Sequence, residues 1–232
     1  MISLKNRTAL ITGSSRGIGR QIAVGLARHG CDIVLHGRST GNLDATEKLL
    51  KNFEVQVFKV AGKLDAGEGI DAIVSGVAGG PGHIDILYNN AAVMSPWIAI
   101  EKTPLDVWLK TLQVNLFAVI SLCSAFVPGM KERGFGRVIN LTSGIKDTPH
   151  LAPYGVSKAA IDKYSRELAA DCRGTNVLVN YLDPGWLRTD LGGPDAMFDV
   201  DTVLPGALVP ALLEDNGPTG RFFSAQDYKY LR

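Results

Sequence analysis

The chain has 232 residues, 46% of them hydrophobic, with 24 basic against 23 acidic side chains and a formal net charge of +1. That length and apolar content suffice for one substantial core, and a single α/β domain over residues 1–232 is the expectation. So even a charge balance leaves no basic field for nucleic acid or an anionic membrane, and neither is an expected partner. The longest apolar stretch, Leu116 to Val127, is too short to span a bilayer and is interrupted by Ser121 and Ser124. No signal peptide is expected before the first strand. Cys31, Cys123 and Cys172 are widely spaced among apolar residues, which fits reduced core thiols in a cytoplasmic protein. No metal-ligand spacing and no internal repeat is visible.

Taken in order, Ala9, Leu10 and Ile11 read as a short buried strand, a glycine-rich turn follows, and Ile18, Ile22, Ala23, Leu26 and Ala27 recur at helical spacing. Gly13, Gly17 and Gly19 suit a tight turn, close approach of a phosphate, or close helix–strand packing. A helix opening there presents free N–H groups and a positive dipole end to a pyrophosphate. Alone, the pattern fits a plain strand-to-helix turn equally well. Strands are then expected at 32–36, 55–60, 84–88, 137–141, 177–182 and 221–223. Helices are expected at 43–52, 69–77, 104–130 and 152–173. The breaker run 79–82 precedes the fourth strand, and Thr103 is the expected N-cap of the long helix, with Pro104 in its first turn. Strands alternating with helices of this length predict a doubly wound parallel sheet of about seven strands covered on both faces. Ligands of such sheets lie beyond the strands' C-terminal ends, where each unusual polar cluster of this chain falls.

Tyr154 and Lys158 stand four positions apart, on one face of the helix 152–173. A tyrosine hydroxyl titrates near ~10, so it is a poor base at neutral pH unless a cation such as Lys158 stabilises the phenolate. Ser143 lies beyond the preceding strand and reaches the same space, where its hydroxyl can hold a substrate oxygen. Read singly, the pair is an ordinary helix-surface pairing and the serine a turn residue.

In this order and spacing, Thr12-Gly13-x-x-x-Gly17-x-Gly19, Asn89-Asn90-Ala91-Ala92, Asn115, Ser143, Tyr154-x-x-x-Lys158 and Pro184-Gly185-Trp186-Leu187-x-Thr189 resemble the short-chain dehydrogenases/reductases. The resemblance runs from Thr8 to about Asp190 and implies a Rossmann-type fold and hydride transfer between a nicotinamide and a carbonyl/alcohol pair. It implies Tyr154 as general acid/base, Ser143 as orienter of the substrate carbonyl, Lys158 as the residue that lowers the tyrosine pKa and binds ribose, and Asn115 as holder of a relay water. It implies a cofactor cradle of Gly13, Ser15, Arg16, Gly17, Ile18, Gly19, Asn89, Ala91, Tyr154, Lys158, Pro184, Gly185, Leu187 and Thr189. Asn89 is expected near the adenine ribose, and Leu187 and Thr189 near the carboxamide. Three departures stand out. Ala92 replaces a glycine, Asp65 fills an adenine-contacting place only through a shifted register, and the eleven positions from Ser143 to Tyr154 are fewer than usual.

Cofactor choice follows from charge. An NAD-selective fold places an acidic residue at the end of the second strand, whereas this chain reads His36-Gly37-Arg38-Ser39. Arg16, Arg38 and Ser39 suit a 2′-phosphate, so NADP(H) is the expected cofactor. Met94, Trp97, Leu151, Trp186, Met197 and Phe198 suit a pocket for a hydrophobic ketone or aldehyde. His150, Asp147 and Asp195 suit instead a sugar or polyol, and Lys131 and Arg133 are candidates for a carrier-linked 3-oxoacyl thioester. A non-catalytic nucleotide sensor would not need Ser143, Tyr154 and Lys158 together, and a sugar-nucleotide epimerase resembles longer chains. Apolar excess on the helices 104–130 and 152–173 leads to an expected homodimer or homotetramer.

Overall fold

The computed structural model describes residues 2–231. Its strands are β1 (Thr8–Ile11), β2 (Asp32–Gly37), β3 (Val57–Ala61), β4 (Ile86–Asn89), β5 (Gly136–Leu141), β6 (Val177–Asp183) and β7 (Phe222–Ser224). Between them run the helices α1 (Gly17–Arg28), α2 (Asp44–Leu50), α3 (Gly67–Gly79), α4 (Leu105–Leu112), α5 (Ala118–Glu132) and α6 (Ala152–Asp171). The strands form one seven-stranded sheet in the order β3-β2-β1-β4-β5-β6-β7, every pairing parallel. The expected doubly wound α/β architecture is therefore what the chain forms. Its strand order reverses between β1 and β4, which opens a crevice above their C-terminal ends.

Strand side chains alternate between two buried layers, as a parallel sheet covered on both faces requires. Leu10, Val34, Leu87, Val138 and Val179 face α3, α5 and α6, while Ala9, Ile11, Leu35, Tyr88 and Ile139 face α1 and the short 3₁₀ turns near 200–211. A buried polar chain ties the middle of the sheet to α6: Asn89 donates to Asn140 at 2.8 Å, and Asn140 to Ser165 at 2.9 Å. Cys31, Cys123 and Cys172 are buried and unpaired, and burial pushes the Cys123 thiol up to about 12.

The helix expected over 104–130 departs from its regular form twice. Pro104 itself holds the N-cap place, because the Thr103 hydroxyl is spent donating to the Ala99 carbonyl at 3.0 Å. Further on, a π turn at Gln113–Phe117 separates α4 from α5 without ending the helix. The continuous helix Leu105–Glu132 is thus long and apolar enough to cross a membrane by length and composition, unlike the shorter run read from sequence. Its inner face, including Ala118, Val119, Leu122, Val127 and Met130, is buried in the sheet's own core, which accounts for part of that apolarity.

Candidate active site

The turn between β1 and α1 is built by its neighbours. The Thr12 hydroxyl accepts the Asn90 and Ala91 amides at 2.9 and 3.0 Å, and Asn90 Nδ2 donates to the Thr12 carbonyl at 2.7 Å. Gly13 and Gly17 take φ of +65° and +56°, a region that costs any other residue strain. A Cβ on Gly19 would stand 2.5 Å from the Gly13 carbonyl oxygen, so this position admits no side chain. No side chain caps α1, and its first turn faces the crevice. Arg20 and Thr46 brace the turn from outside: Arg20 donates to the Ser15 carbonyl at 2.5 Å and Thr46 to the Ser14 carbonyl at 2.9 Å.

His36 locks this turn to the sheet, a role its sequence position gives no hint of. Its Nδ1 accepts the Gly13 amide at 3.1 Å and its Nε2 faces the Gly62 carbonyl at 3.0 Å. An amide can only donate, so Nδ1 is the bare nitrogen and Nε2 carries the proton. Burial holds the imidazole neutral by pushing its pKa below the usual value, against the Gly62 hydrogen bond.

Tyr154 and Lys158 lie in the first turns of α6, 6% and 5% exposed, with the Lys158 ammonium 5.6 Å from the centre of the tyrosine ring. Ser143, just past β5, lies on the Tyr154 hydroxyl side and pulls the tyrosine pKa down, and its own oxygen accepts the Ile145 amide at 3.1 Å. Lys158 Nζ donates to the Leu141 carbonyl at 2.8 Å, and burial lowers its pKa to about 8 although Asp162 and Asp183 oppose the shift. The sequence reading has Lys158 lowering the tyrosine pKa. In the structure the net shift of Tyr154 is upward, because burial dominates, Asp183 adds to it, and only Ser143 pulls back. The physical reason is the burial of the phenol, while the Lys158 ammonium is turned onto the Leu141 carbonyl.

Asn115 reaches the same place from the π turn. Its Oδ1 accepts the Val93 amide at 2.8 Å, while its Nδ2 donates to the Val93 carbonyl at 2.9 Å and to Ser157 at 3.0 Å. Ser157 in turn donates to the Tyr154 carbonyl at 2.7 Å, so the loop after β4, the π turn and α6 share one network. Asn89 behaves differently. It is 3% exposed and its side chain turns inward to Asn140 and Cys123, so the structure does not bring that side chain to the crevice; Asn90 takes the contact with the glycine turn.

Beyond β6, the loop 184–199 folds over the crevice. Gly185 takes φ +85° and gives its amide to Asp183 at 3.0 Å; Leu187 and Phe198 form an isolated bridge; Trp186 Nε1 donates to the Gly192 carbonyl at 2.8 Å. The Thr189 hydroxyl accepts the Gly192 amide at 3.1 Å, and Thr189 meets Gly17 across the crevice. Arg16 is paired with Asp190 at 2.7 Å, the side chains 63% and 67% exposed, so it is engaged by this loop. Arg38 and Ser39 are exposed directly after β2, and Asp65 is exposed between β3 and α3. Of the expected pocket residues, Met94, Trp97 and Trp186 are exposed, Phe198 is half-buried, and Leu151 is buried beneath the loop 144–150. The Ile98 amide donates to the His150 carbonyl at 3.0 Å, which joins the loops that carry Trp97 and Leu151.

A family model for the short chain dehydrogenases matches residues 7–196. The chain belongs to the short-chain dehydrogenase family. It is 36% identical over 188 residues to dehydrogenase/reductase SDR family member 4 of Bos taurus, covering 80% of this chain and 67% of that one. It is 33% identical to the gluconate 5-dehydrogenase of Gluconobacter oxydans (strain 621H), covering 82% and 75%. The structure of a gluconate 5-dehydrogenase from Burkholderia cenocepacia J2315, in complex with NADP and tartrate, superposes with a TM-score of 0.83 at 26% identity, covering 95% and 94%. This short-chain dehydrogenase is accordingly an oxidoreductase of the CH–OH/C=O type, similar to NAD(P)-dependent enzymes.

Proposed function

We propose that the protein is an NADP(H)-dependent oxidoreductase that interconverts a ketone or aldehyde with its alcohol. The observation that carries this reading is Tyr154 beside Ser143, with buried Lys158 5.6 Å from its ring centre and the uncapped glycine turn across the same crevice. The turn fits a dinucleotide in that no side chain caps α1, while a Cβ on Gly13 would press on Ala91 at 3.1 Å and one on Gly19 on the Gly13 carbonyl oxygen at 2.5 Å, so the turn stays bare backbone. Gly13, Ser15, Gly17, Ile18 and Gly19 would hold the pyrophosphate, Asp65 and Ala91 the adenosine side, and Pro184, Gly185, Leu187 and Thr189 the nicotinamide side. When bound, the nicotinamide supplies or accepts the hydride.

In reduction, Tyr154 gives its hydroxyl proton to the oxygen that gains charge, and in oxidation it takes that proton back. Ser143 holds the same oxygen by a hydrogen bond, which stabilises the developing charge. A tyrosine pushed upward by burial remains a competent proton donor at neutral pH. With cofactor bound, the Lys158 ammonium would leave Leu141 to bind the ribose hydroxyls and would then stabilise negative charge on the phenol, and Asn115 would keep a water in line for proton return.

NADP(H) is favoured over NAD(H) because Arg38 and Ser39 are exposed after β2 where a selective carboxylate would stand, and the solved relative from Burkholderia cenocepacia is in complex with NADP. Arg16 would exchange Asp190 for the 2′-phosphate. A screen of NADPH and NADH oxidation over aldehydes, ketones, sugars and 3-oxoacyl thioesters tests the reading. Arg38→Ala should lower kcat/KM for NADPH by roughly 10- to 150-fold, the worth of a charge-assisted contact of ~1.5–3 kcal/mol, and leave NADH nearly unchanged. Better use of NADH than NADPH by the wild type would overturn the cofactor choice.

A sugar or polyol substrate has a specific observation in its favour. The loops that frame the crevice carry Asp147, His150 and Asp195, all exposed and able to bond hydroxyls. We also propose a homodimer or homotetramer, supported by exposed Leu105, Leu109, Phe117 and Val156 on α4, the π turn and α6.

A further inference from the structure

The Asp183 carboxylate stands at the floor of the crevice and has no part in the chemistry above. It closes β6 beside β5, where the Thr142 amide bonds the Leu182 carbonyl at 2.9 Å. Its Oδ1 accepts the Gly185 amide at 3.0 Å, and its Oδ2 lies 2.6 Å from where a Cβ on Gly144 would be. Gly144 directly follows Ser143, so the carboxylate is one residue away from the hydroxyl that would hold the reacting oxygen. Its charge is felt at both Tyr154 and Lys158.

The surroundings leave that charge largely to Asp183 itself, because most of their acids are matched by cations. Loops 144–151 and 184–199 contain Asp147, Asp190, Asp195 and Asp199 against Lys146 and Arg188. Arg188 is bridged to Asp199 at 2.7 Å and Asp190 to Arg16 at 2.7 Å, while Lys229 rests on the rings of Phe198 and Tyr230 at 5.4 and 5.1 Å. Lys158, the buried cation, is turned onto the Leu141 carbonyl.

We infer that Asp183 selects the substrate by charge, so that a neutral hydroxylated carbonyl or alcohol is accepted and one that carries a carboxylate is turned away. This rests on the oxidoreductase reading above and narrows its substrate class. A carboxylate between the Ser143 loop and the Pro184–Gly185 turn accepts hydrogen bonds from substrate hydroxyls. Against a second carboxylate it acts as a repulsive element, and the low dielectric of a closed crevice strengthens the effect.

The test is a ratio, so a general loss of activity cancels. D-sorbitol and D-gluconate differ only in whether the first carbon is a hydroxymethyl group or a carboxylate. An aryl ketone with a methyl ester or a free acid serves in the same way if the screen finds aromatic substrates. The wild type should favour the neutral member by at least about tenfold in kcat/KM, the scale of one close charge–charge interaction, and Asp183→Asn should narrow that ratio about tenfold. The asparagine keeps an oxygen acceptor for Gly185; Asp183→Ser is a second, smaller replacement. In the wild type itself, raising ionic strength should lower KM for the anionic member and leave the neutral one unmoved. Equal use of both members by the wild type, or an unchanged ratio in a folded Asp183 variant, overturns the inference and leaves the oxidoreductase reading intact. Failure to turn over any carbonyl or alcohol overturns both.

Discussion

At the scale of single residues, the Tyr154–Lys158 pair makes activity depend on pH with a definite sign. Lys158 is charged below a pKa of about 8 and neutral above it, whereas Tyr154 is shifted upward and keeps its proton throughout that range. Carbonyl reduction needs both protons, so kcat/KM in that direction should fall as pH rises past about 8. Tyr154→Phe should lose at least ~10²-fold at every pH, the share of a general acid/base, while still binding the nucleotide. Steady-state rates from neutral to alkaline pH check both statements; a flat profile through the Lys158 midpoint would show that the ammonium is not required. The pair itself was legible from sequence, because four residues on a helix is a local relation that survives folding. The direction of the tyrosine shift was not: it depends first on how deeply the fold buries the phenol, and then on Asp183 arriving from another strand.

Among the elements, the glycine turn is held by β2 and β3 as much as by its own sequence. His36 bridges the Gly13 amide and the Gly62 carbonyl, and only the neutral ring can accept from Gly13. Its folded pKa lies below the ordinary 6.5, so below that pH the unfolded chain binds a proton that the folded chain refuses. Stability therefore falls as pH drops through that window and is regained as pH rises. His36→Asn keeps an acceptor near Gly13 and should flatten the acid dependence of the melting temperature relative to wild type. Parallel acid slopes for the two proteins would remove this account. The strands, the glycine spacing and the parallel sheet were readable from periodicity because they repeat within short windows. His36 was readable only as the absence of an acid, since its partners lie on other strands. The direction of the Asn89 side chain was hidden for a related reason: a motif position names a residue, but strand alternation decides which layer its side chain enters.

For the whole molecule, the apolar face of α4 and its neighbours points to self-association. Leu105 and Leu109, 71% and 56% exposed, stand one turn apart on α4, and Phe117 and Val156 extend the patch. Light scattering at micromolar concentration should report a dimer or tetramer, and Leu109→Glu should shift it towards monomer by burying a charge at the contact. A wild type that is only monomeric would remove the proposed assembly. The same helix carries a quieter constraint at Gln113–Phe117, where the π turn holds one residue more than a regular turn. Because one residue turns an α-helix by about 100°, α4 and α5 are permanently out of step, α4 meeting α6 while α5 stays in register with the sheet. Loss of a single residue there would bring the halves into step and swing Asn115 away from Val93 and Ser157, or else rotate the outer patch out of its plane. Surface loops can be lengthened or trimmed at little cost, whereas a deletion within this five-residue segment costs either the Asn115 network or the plane of the outer patch.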